Sequence, residues 1–240
     1  MGVIIPALNE EKAIGLVLRD IPRSAVDQVI VVDNGSSDNT AREAEAHAAV
    51  VKYEPSRGYG AACQTGMKAL EPDIDIIVFL DADYSDHPEE IATLLLPITE
   101  NRADLVIGSR TLRGASRKAL SWQQVWGNRL ATKLMGWCFG YHFTDLGPFR
   151  AIRRGALETL AMSDRGYGWT VEMQVKAACA GLRILEVPVD YRTRIGHSKV
   201  SGTLRGAVGA GAKILYTIGR YALRCKLCRL PIASRPMAGE

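Results

Sequence analysis

Short apolar runs alternate with amphipathic stretches along the first half of the chain, and this alternation constrains the fold more than any other feature. Apolar runs of this kind are typical of strands that are buried on both faces. The helical stretches between them predict an α/β fold with a mainly parallel sheet. Strands are predicted at residues 3–6, 29–32, 50–51, 74–80, 105–107 and 183–191, and helices at 10–20, 38–47, 57–70, after Pro88 and at 122–137.

The composition is that of an ordinary globular chain. Of the 240 residues, 47% are hydrophobic and 23% are charged, which excludes a disordered chain and a coiled coil. No stretch of about 18 residues is apolar enough for a membrane span. Basic residues accumulate at the end of the chain, where seven follow Ser201 against one acidic residue. We therefore expect a main domain at residues 1–200 and a basic C-terminal extension at 201–240. Because the main domain itself is not basic, a nucleic-acid partner is not expected.

The five cysteines are odd in number and lie mostly in apolar surroundings. We interpret them as reduced, which together with the lack of a signal peptide predicts a cytoplasmic protein. Cys225 and Cys228 form a CxxC pair, but no second pair of metal ligands accompanies it, so a zinc site is not expected.

Carboxylates follow three of the predicted strands. Asp33 ends the second strand, Asp81 and Asp83 end the strongest strand, and Glu10 follows the first. The carboxyl ends of parallel strands share one edge of a sheet, where ligands bind. Asp81 and Asp83 leave the backbone on the same side and can reach one ion, for which Mg²⁺ or Mn²⁺ is the natural choice. An isolated Asp-x-Asp is equally compatible with a simple turn.

A glycine-rich segment opens the third predicted helix. Gly58 and Gly60 would let the backbone approach a ligand closely and would direct a helix N-terminus toward it. The dinucleotide fingerprint Gly-x-Gly-x-x-Gly is absent, which argues against a Rossmann dehydrogenase.

Four motifs occur in the order found in glycosyltransferase family 2, and the chain resembles that family over roughly residues 3–220. Within the family it is most similar to the dolichyl-phosphate mannose or glucose synthase branch. The resemblance implies a GT-A type nucleotide-binding sandwich, a nucleotide sugar donor such as a UDP- or GDP-sugar, a divalent ion and inversion of the anomeric centre. The motifs are residues 5–11, 32–40, 57–62 and 81–83.

The resemblance also assigns roles to individual residues. The Asp81–Ala82–Asp83 run becomes the metal and diphosphate site, with Asp83 as the direct ligand. Ser85 stands where lipid-phosphate synthases often carry Gln, which leaves a third metal ligand open. Arg194 and Lys199 resemble a late loop that closes over the diphosphate, and a solvated basic loop is the alternative. The residues expected around the nucleotide are Pro6, Ala7, Asn9, Glu10, Asp33 and Gly58.

The acceptor is either a phosphate or a hydroxyl group. A phosphate is already ionised near pH 7 and needs only cations, for which Arg117 and Arg129 are candidates. A hydroxyl needs a general base, for which Asp145 and Glu172 are candidates. We favour a polyprenyl phosphate because of the family branch. A hydroxyl acceptor and a non-catalytic sugar-nucleotide-binding protein remain as alternatives.

Residues 203–224 predict an amphipathic helix. Arg205, Lys213 and Arg220 share one face of this helix, while Ile214 and Ile218 share the other. Such a helix either lies at the inner face of a membrane, beside a lipid-phosphate acceptor, or packs on the domain with its basic side in water.

Overall fold

The computed structural model describes residues 1–113, 119–196 and 204–228. Within these ranges, seven strands form one sheet in the order β3-β2-β1-β4-β6-β5-β7. Only β6, among these described strands, runs antiparallel to its neighbours β4 and β5. The strands are β1 (Gly2–Ala7), β2 (Gln28–Asp33), β3 (Val50–Tyr53), β4 (Ile76–Phe79), β5 (Leu105–Ser109), β6 (Arg150–Arg153) and β7 (Ile184–Pro188).

Helices cover both faces of the sheet. Helix α5 has clear start and stop signals: Ser121 and Gln124 form a capping box before it, and Gly140 ends it in the left-handed region with φ +67°. The helices are α1 (Ile14–Asp20), α2 (Thr40–Ala46), α3 (Tyr59–Lys68), α4 (Ile91–Thr99), α5 (Trp122–Phe139), α6 (Arg154–Leu160), α7 (Trp169–Cys179) and α8 (Leu204–Cys228).

Strand β1 contributes to a core on each side of the sheet. Ile4 joins Phe79 and Trp169 on one side. Val3 and Ile5 point the other way and pack in the second cluster. This division follows from the period of two along a strand and explains why the central strands are apolar throughout.

The α/β fold with a mainly parallel sheet is confirmed, but one strand was not predicted. Strand β6 (Arg150–Arg153) follows α5 in a part of the chain for which no strand was predicted. Its arginines hide the strand pattern. Arg150 is nevertheless fully buried, and its guanidinium donates to the carbonyl oxygens of Gly147 and Thr170.

The predicted C-terminal helix is present as α8 and packs on the domain against α5 and α7. Ile218 and Tyr221 are buried in the core cluster. Lys213, from the predicted basic face, forms an ion pair with Asp164 at 2.9 Å. No helix in the described ranges has the length and apolar character that crossing a bilayer requires. The boundary at residue 200 stays a prediction.

The expectation that all cysteines are reduced is wrong. Cys179 at the end of α7 forms a disulfide with Cys225 in α8, 46 residues away. Composition and local apolar surroundings could not indicate this pair, because the pairing depends on the packing of two distant helices. Cys63 and Cys138 are free, and the side chain of Cys228 lies outside the described residues.

Candidate active site

The described residues form a cleft of about 490 Å³ at the carboxyl ends of β1, β2 and β4. The parallel register of these strands brings the residues that follow them to the same sheet edge. Seven of the predicted site residues from the first two thirds of the chain line this cleft, and Arg194 joins them from the late loop. The lining residues are Pro6, Ala7, Leu8, Glu10, Asn34, Arg57, Gly58, Tyr59, Ala62, Asp81, Ala82, Asp83, Gly166, Tyr167 and Arg194.

Asp83 is held in a fixed orientation by its own loop. One carboxylate oxygen, Oδ1, accepts hydrogen bonds from the backbone N–H and the hydroxyl of Ser85. Ser85 is fully buried. The residue that replaces the expected Gln therefore orients Asp83 and leaves its second oxygen to the cleft.

Arg194 reaches into the cleft from the segment after β7. Its Nη2 lies 3.1 Å from Asp83 Oδ2 and 3.0 Å from Glu10 Oε1. The Ile195 N–H donates to the carbonyl of Asp83 at 3.0 Å. This segment is therefore fixed to the loop that carries the aspartates.

Residues 84–86 are pinned by the same segment. Arg192 stacks over the ring of Tyr84 at 3.3 Å and donates to the carbonyl oxygens of Tyr84 and Asp86. The Arg192 N–H donates to the carbonyl of Ser85. Sequence position alone could not show this contact, which spans more than 100 residues.

The electrostatics of the aspartate loop fit a divalent cation. Burial and the neighbouring charge of Asp83 raise the pKa of Asp81 to about 7, although Arg194 acts in the opposite direction. Burial and the charges of Asp81 and Asp83 also raise the pKa of Asp86 well above its ordinary value. Asp81 Oδ1 is buried and has no hydrogen-bond partner in the described part of the chain. Crowded carboxylates with an unsatisfied oxygen suit a hard cation such as Mg²⁺ or Mn²⁺.

No cluster of three or more acidic, histidine or cysteine ligands occurs among the described residues. The protein would thus supply Asp81 and Asp83, and further ligands would come from water and a substrate diphosphate.

The glycine-rich segment forms one wall of the cleft together with a distant loop. A Cβ on Gly58 would lie 2.1 Å from the Arg165 carbonyl oxygen, and one on Gly60 would lie 2.1 Å from that of Asp164. The N–H groups of Gly60 and Ala61 donate to residues 166 and 165. The close backbone approach that these glycines permit is therefore to protein rather than to a ligand.

The segments that follow β1 and β2 are connected by hydrogen bonds. Asn9, with φ +51°, accepts a hydrogen bond from the Ser37 N–H. Asp33 is buried and accepts from the Ser36 N–H. Its neighbour Asn34 lines the cleft and accepts from the Gly58 N–H at 2.7 Å. Asn34 was not predicted as a site residue, although its position next to Asp33 at a strand end was a usable signal.

Asp145 lies away from the cleft lining, fully buried against Arg110. The guanidinium of Arg110 binds both carboxylate oxygens at 2.7 and 2.8 Å, and the Arg110 N–H donates as well. Burial alone would raise the pKa of Asp145, but Arg110 outweighs it and holds this pKa below its ordinary value.

Glu172 is also buried, and its carboxylate is bound by several protein donors. It accepts from the Ser163 hydroxyl, the Asp164 N–H and the Tyr221 hydroxyl, and it pairs with Lys176. Burial opposes ionisation, but these donors lower the pKa of Glu172 to about 2. Glu172 thereby ties α8 to residues 163–168, the loop that carries Gly166 and Tyr167 to the cleft.

Among the described residues, one further predicted cation, Arg129, is not part of the cleft lining. Arg129 is exposed on α5, and Arg117 and Lys199 lie outside the described residues. Leu8, Tyr59, Ala62, Gly166 and Tyr167 line the cleft without having been predicted as site residues. For Gly166 and Tyr167, no local pattern marks a site, because only the contact with α3 places them there.

Comparisons with known proteins identify the family of the chain. The family model described as Glycosyl transferase family 2 matches residues 2–161. An uncharacterized glycosyltransferase of Mycobacterium tuberculosis is 38% identical over 211 residues, covering 86% of this chain and 92% of the relative. The undecaprenyl-phosphate mannosyltransferase of Micrococcus luteus is 36% identical over 224 residues, covering 85% and 88%.

A solved structure matches the fold as well. Glucosyl-3-phosphoglycerate synthase from Mycobacterium tuberculosis, in complex with Mn²⁺, UDP and glucosyl-3-phosphoglycerate, superposes with a TM-score of 0.73. It is 26% identical, and the match covers 92% of this chain and 79% of that one.

Proposed function

Because the chain belongs to glycosyl transferase family 2, we propose that it transfers a hexose from a nucleotide sugar to a polyprenyl phosphate, with inversion at the anomeric carbon. The observation that carries this proposal is the position of Asp81, Asp83 and Arg194 in one cleft at the carboxyl ends of the parallel strands. The undecaprenyl-phosphate mannosyltransferase supports the acceptor class, and the UDP and Mn²⁺ in the structural relative support the donor class.

Different residues of the cleft would contact the nucleoside and the diphosphate of the donor. Pro6, Ala7 and Asn34 face the nucleoside end, where Asp33 and Asn9 brace the two strand ends. Asp81 and Asp83 would hold Mg²⁺ or Mn²⁺, which supplies charge neutralisation for the leaving diphosphate.

Arg194 complements the aspartates from the opposite side. A donor diphosphate competes with Glu10 and Asp83 for its guanidinium, and the bidentate geometry of arginine suits phosphate oxygens. Arg194 therefore stabilises the negative charge that builds on the leaving group as the glycosidic bond breaks. Lys199 is proposed to act alongside it.

The surroundings of the two candidate bases favour a phosphate acceptor. Asp145 and Glu172 are both occupied by buried ion pairs, and their lowered pKa values make them weak bases. The carboxylates that line the described cleft are Glu10, Asp81 and Asp83, which belong to the donor and metal region. A phosphate acceptor needs no base, since its second pKa is about 6.

A thermal-shift screen of UDP-, GDP- and dTDP-sugars tests the donor part of the proposal. We expect one donor to raise the melting temperature only when Mn²⁺ or Mg²⁺ is present, because a ligand stabilises the state that binds it. Asp83→Asn should abolish this shift, whereas the exposed Asp73→Asn should retain it. A metal-independent shift that survives in Asp83→Asn would contradict the assignment.

The carboxamide variants Asp145→Asn and Glu172→Gln test the acceptor part. With a phosphate acceptor, neither variant should show an isolated loss of kcat, which a missing general base would produce as a drop of about 10²- to 10⁴-fold. Such a loss, with the acceptor KM unchanged, would favour a hydroxyl acceptor instead.

A further inference from the structure

The outer face of α5 carries large apolar side chains that the fold leaves in water. Trp122, Trp126 and Trp137 are 70%, 67% and 82% exposed, and Leu130 is 52% exposed. At about 100° per residue, these four side chains fall within about 80° of the helix circumference. Met135 on the other side of α5 is fully buried. The four exposed residues, called here the tryptophan face, are therefore not needed for the core.

The charged side chains on α5 and on the neighbouring helix α8 are all positive. Helix α5 contains no Asp or Glu, and Arg129 and Lys133 are exposed on the same side as the tryptophans. Helix α8, which packs against α5, contains no acidic residue either and exposes Tyr216 and Leu223. Tryptophan prefers the boundary between water and lipid, and basic residues are attracted to anionic headgroups.

We propose that the tryptophan face docks the protein on the surface of a bilayer that contains anionic lipids. The inference deepens the proposed function, because a polyprenyl phosphate acceptor resides in a bilayer. Three indole rings entering the interfacial region would bury apolar surface there, while Arg129 and Lys133 would meet lipid phosphates.

Charge argues against a second copy of the chain as the occupant. A two-fold contact between tryptophan faces would place Arg129 and Lys133 of one copy against the same cations of the other. Like charges at that separation weaken an interface, whereas an anionic membrane surface attracts both residues.

Helix α5 is also connected to the sheet edge on which the cleft opens. Asn128 donates to the carbonyl of Thr144 and accepts from the Leu146 N–H. This segment holds Arg110, which follows β5 directly. Strand β5 runs in the same direction as β4, since both are antiparallel to β6. Helix α5 is therefore attached to the same edge of the sheet as the donor cleft.

Flotation with lipid vesicles that contain neither polyprenyl phosphate nor nucleotide tests the proposal. The protein should bind vesicles of phosphatidylcholine with about 30% phosphatidylglycerol more tightly than vesicles of phosphatidylcholine alone. Three of its four tryptophans lie on the tryptophan face and Trp169 is buried. Intrinsic fluorescence should therefore shift to shorter wavelength upon binding.

The triple variant Trp122→Ser, Trp126→Ser, Trp137→Ser should bind about tenfold more weakly or worse, because each ring carries a large apolar area. The matched control Tyr53→Ser with Leu96→Ser removes exposed apolar side chains elsewhere and should bind like the wild type. Lys133→Glu keeps every tryptophan and should weaken binding to the anionic vesicles only.

Three results would overturn the proposal: wild-type protein that stays unbound, a folded triple variant that binds as tightly as the wild type, or equal binding to both vesicle compositions. If the wild type sediments as a dimer and the triple variant as a monomer, the proposal would likewise be overturned in favour of a second copy of the chain as the occupant. Transfer to a short-chain polyprenyl phosphate without vesicles tests the proposed function separately. A protein that binds vesicles but transfers nothing contradicts that function alone.

Discussion

At the scale of single residues, Ser85 orients Asp83, the proposed metal ligand. Its N–H and hydroxyl both donate to Asp83 Oδ1 inside a fully buried environment. Residues that orient a metal ligand in this way typically affect metal affinity by about 10- to 100-fold. Ser85→Ala should therefore raise the Mn²⁺ concentration needed for half-maximal activity by at least about tenfold. The exposed Ser24→Ala is the control, and an unchanged metal requirement in Ser85→Ala would show that the backbone donor is sufficient.

A second residue-scale prediction concerns Glu172 and acid stability. Its folded-state pKa of about 2 lies below the ordinary value of 4.5, so the unfolded state binds the proton more readily. The stabilisation is thus complete above about pH 4.5 and is lost as the pH falls toward 2.

Glu172→Gln should unfold more easily near pH 7, by about 2–4 kcal/mol, and its melting temperature should fall less steeply between pH 5 and 3. The exposed Glu158→Gln should retain the wild-type profile. Parallel melting curves for Glu172→Gln and the wild type across this range would contradict the depressed pKa.

The roles of single residues could be predicted from sequence only where the partners are local. Asp81 and Asp83 lie two positions apart at the end of one strand, so strand geometry places both at the same edge. Asp145 and Glu172 were predicted as candidate bases because the sequence does not show their distant partners. Arg110 lies 35 residues from Asp145, and Tyr221 lies 49 residues from Glu172. For Asp145 nothing in the local pattern shows this pairing, whereas Lys176, four residues after Glu172 on the same helix, was a usable local signal.

At the scale of elements, the N-terminus of α3 depends on a glycine. A Cβ on Gly60 would lie 2.1 Å from the Asp164 carbonyl oxygen, a backbone atom that cannot move without disturbing the cleft wall. Gly60→Ala should destabilise the protein by at least about 2 kcal/mol and weaken donor binding. Gly127→Ala in α5 meets nothing within 4 Å and should stabilise by about 0.5–1 kcal/mol. Equal melting temperatures for the two variants would contradict this packing.

Helices α7 and α8 are joined by the disulfide between Cys179 and Cys225. A cross-link that closes a loop of this length stabilises by at most about 4 kcal/mol, through the reduced freedom of the unfolded chain. Reduction should therefore lower the melting temperature, and Cys225→Ser should melt like the reduced wild type. Peptide mapping without reductant should recover the two cysteines in one linked pair. Recovery of both as free thiols would contradict the pairing.

The helices and strands, like the single residues, could be predicted from the sequence only where the signal is local. Strands β1, β2 and β4 are continuous apolar runs and could be predicted from their pattern. Strand β6 could not, because its four residues include two arginines, and burial of Arg150 depends on carbonyl acceptors contributed by other segments. Helix α8 and the packing of Ile214 and Ile218 from its apolar face could be predicted. The ion pair of Lys213 with Asp164 could not, because it joins segments that are distant in sequence.

At the scale of the whole molecule, two features meet at one edge of the sheet. The donor cleft opens at the carboxyl ends of β1, β2 and β4, and α5 is attached to the same edge through Asn128. Helix α8 joins both, because it packs on α5 and contacts the loop at residues 163–168 through Glu172 and Asp164. This arrangement supports the proposed transfer from a nucleotide sugar to a lipid-borne acceptor.

The central claim is transfer of a hexose to a polyprenyl phosphate, and a competition assay tests it most directly. The protein would receive its stabilising nucleotide sugar with Mn²⁺ and an equal mixture of a short-chain polyprenyl phosphate and the corresponding polyprenol. Mass spectrometry would then identify the product. We predict a hexose on the phosphate alone, with Asp83→Asn inactive and Asp73→Asn active. A hexose on the alcohol, or product formed equally by Asp83→Asn, would contradict the account.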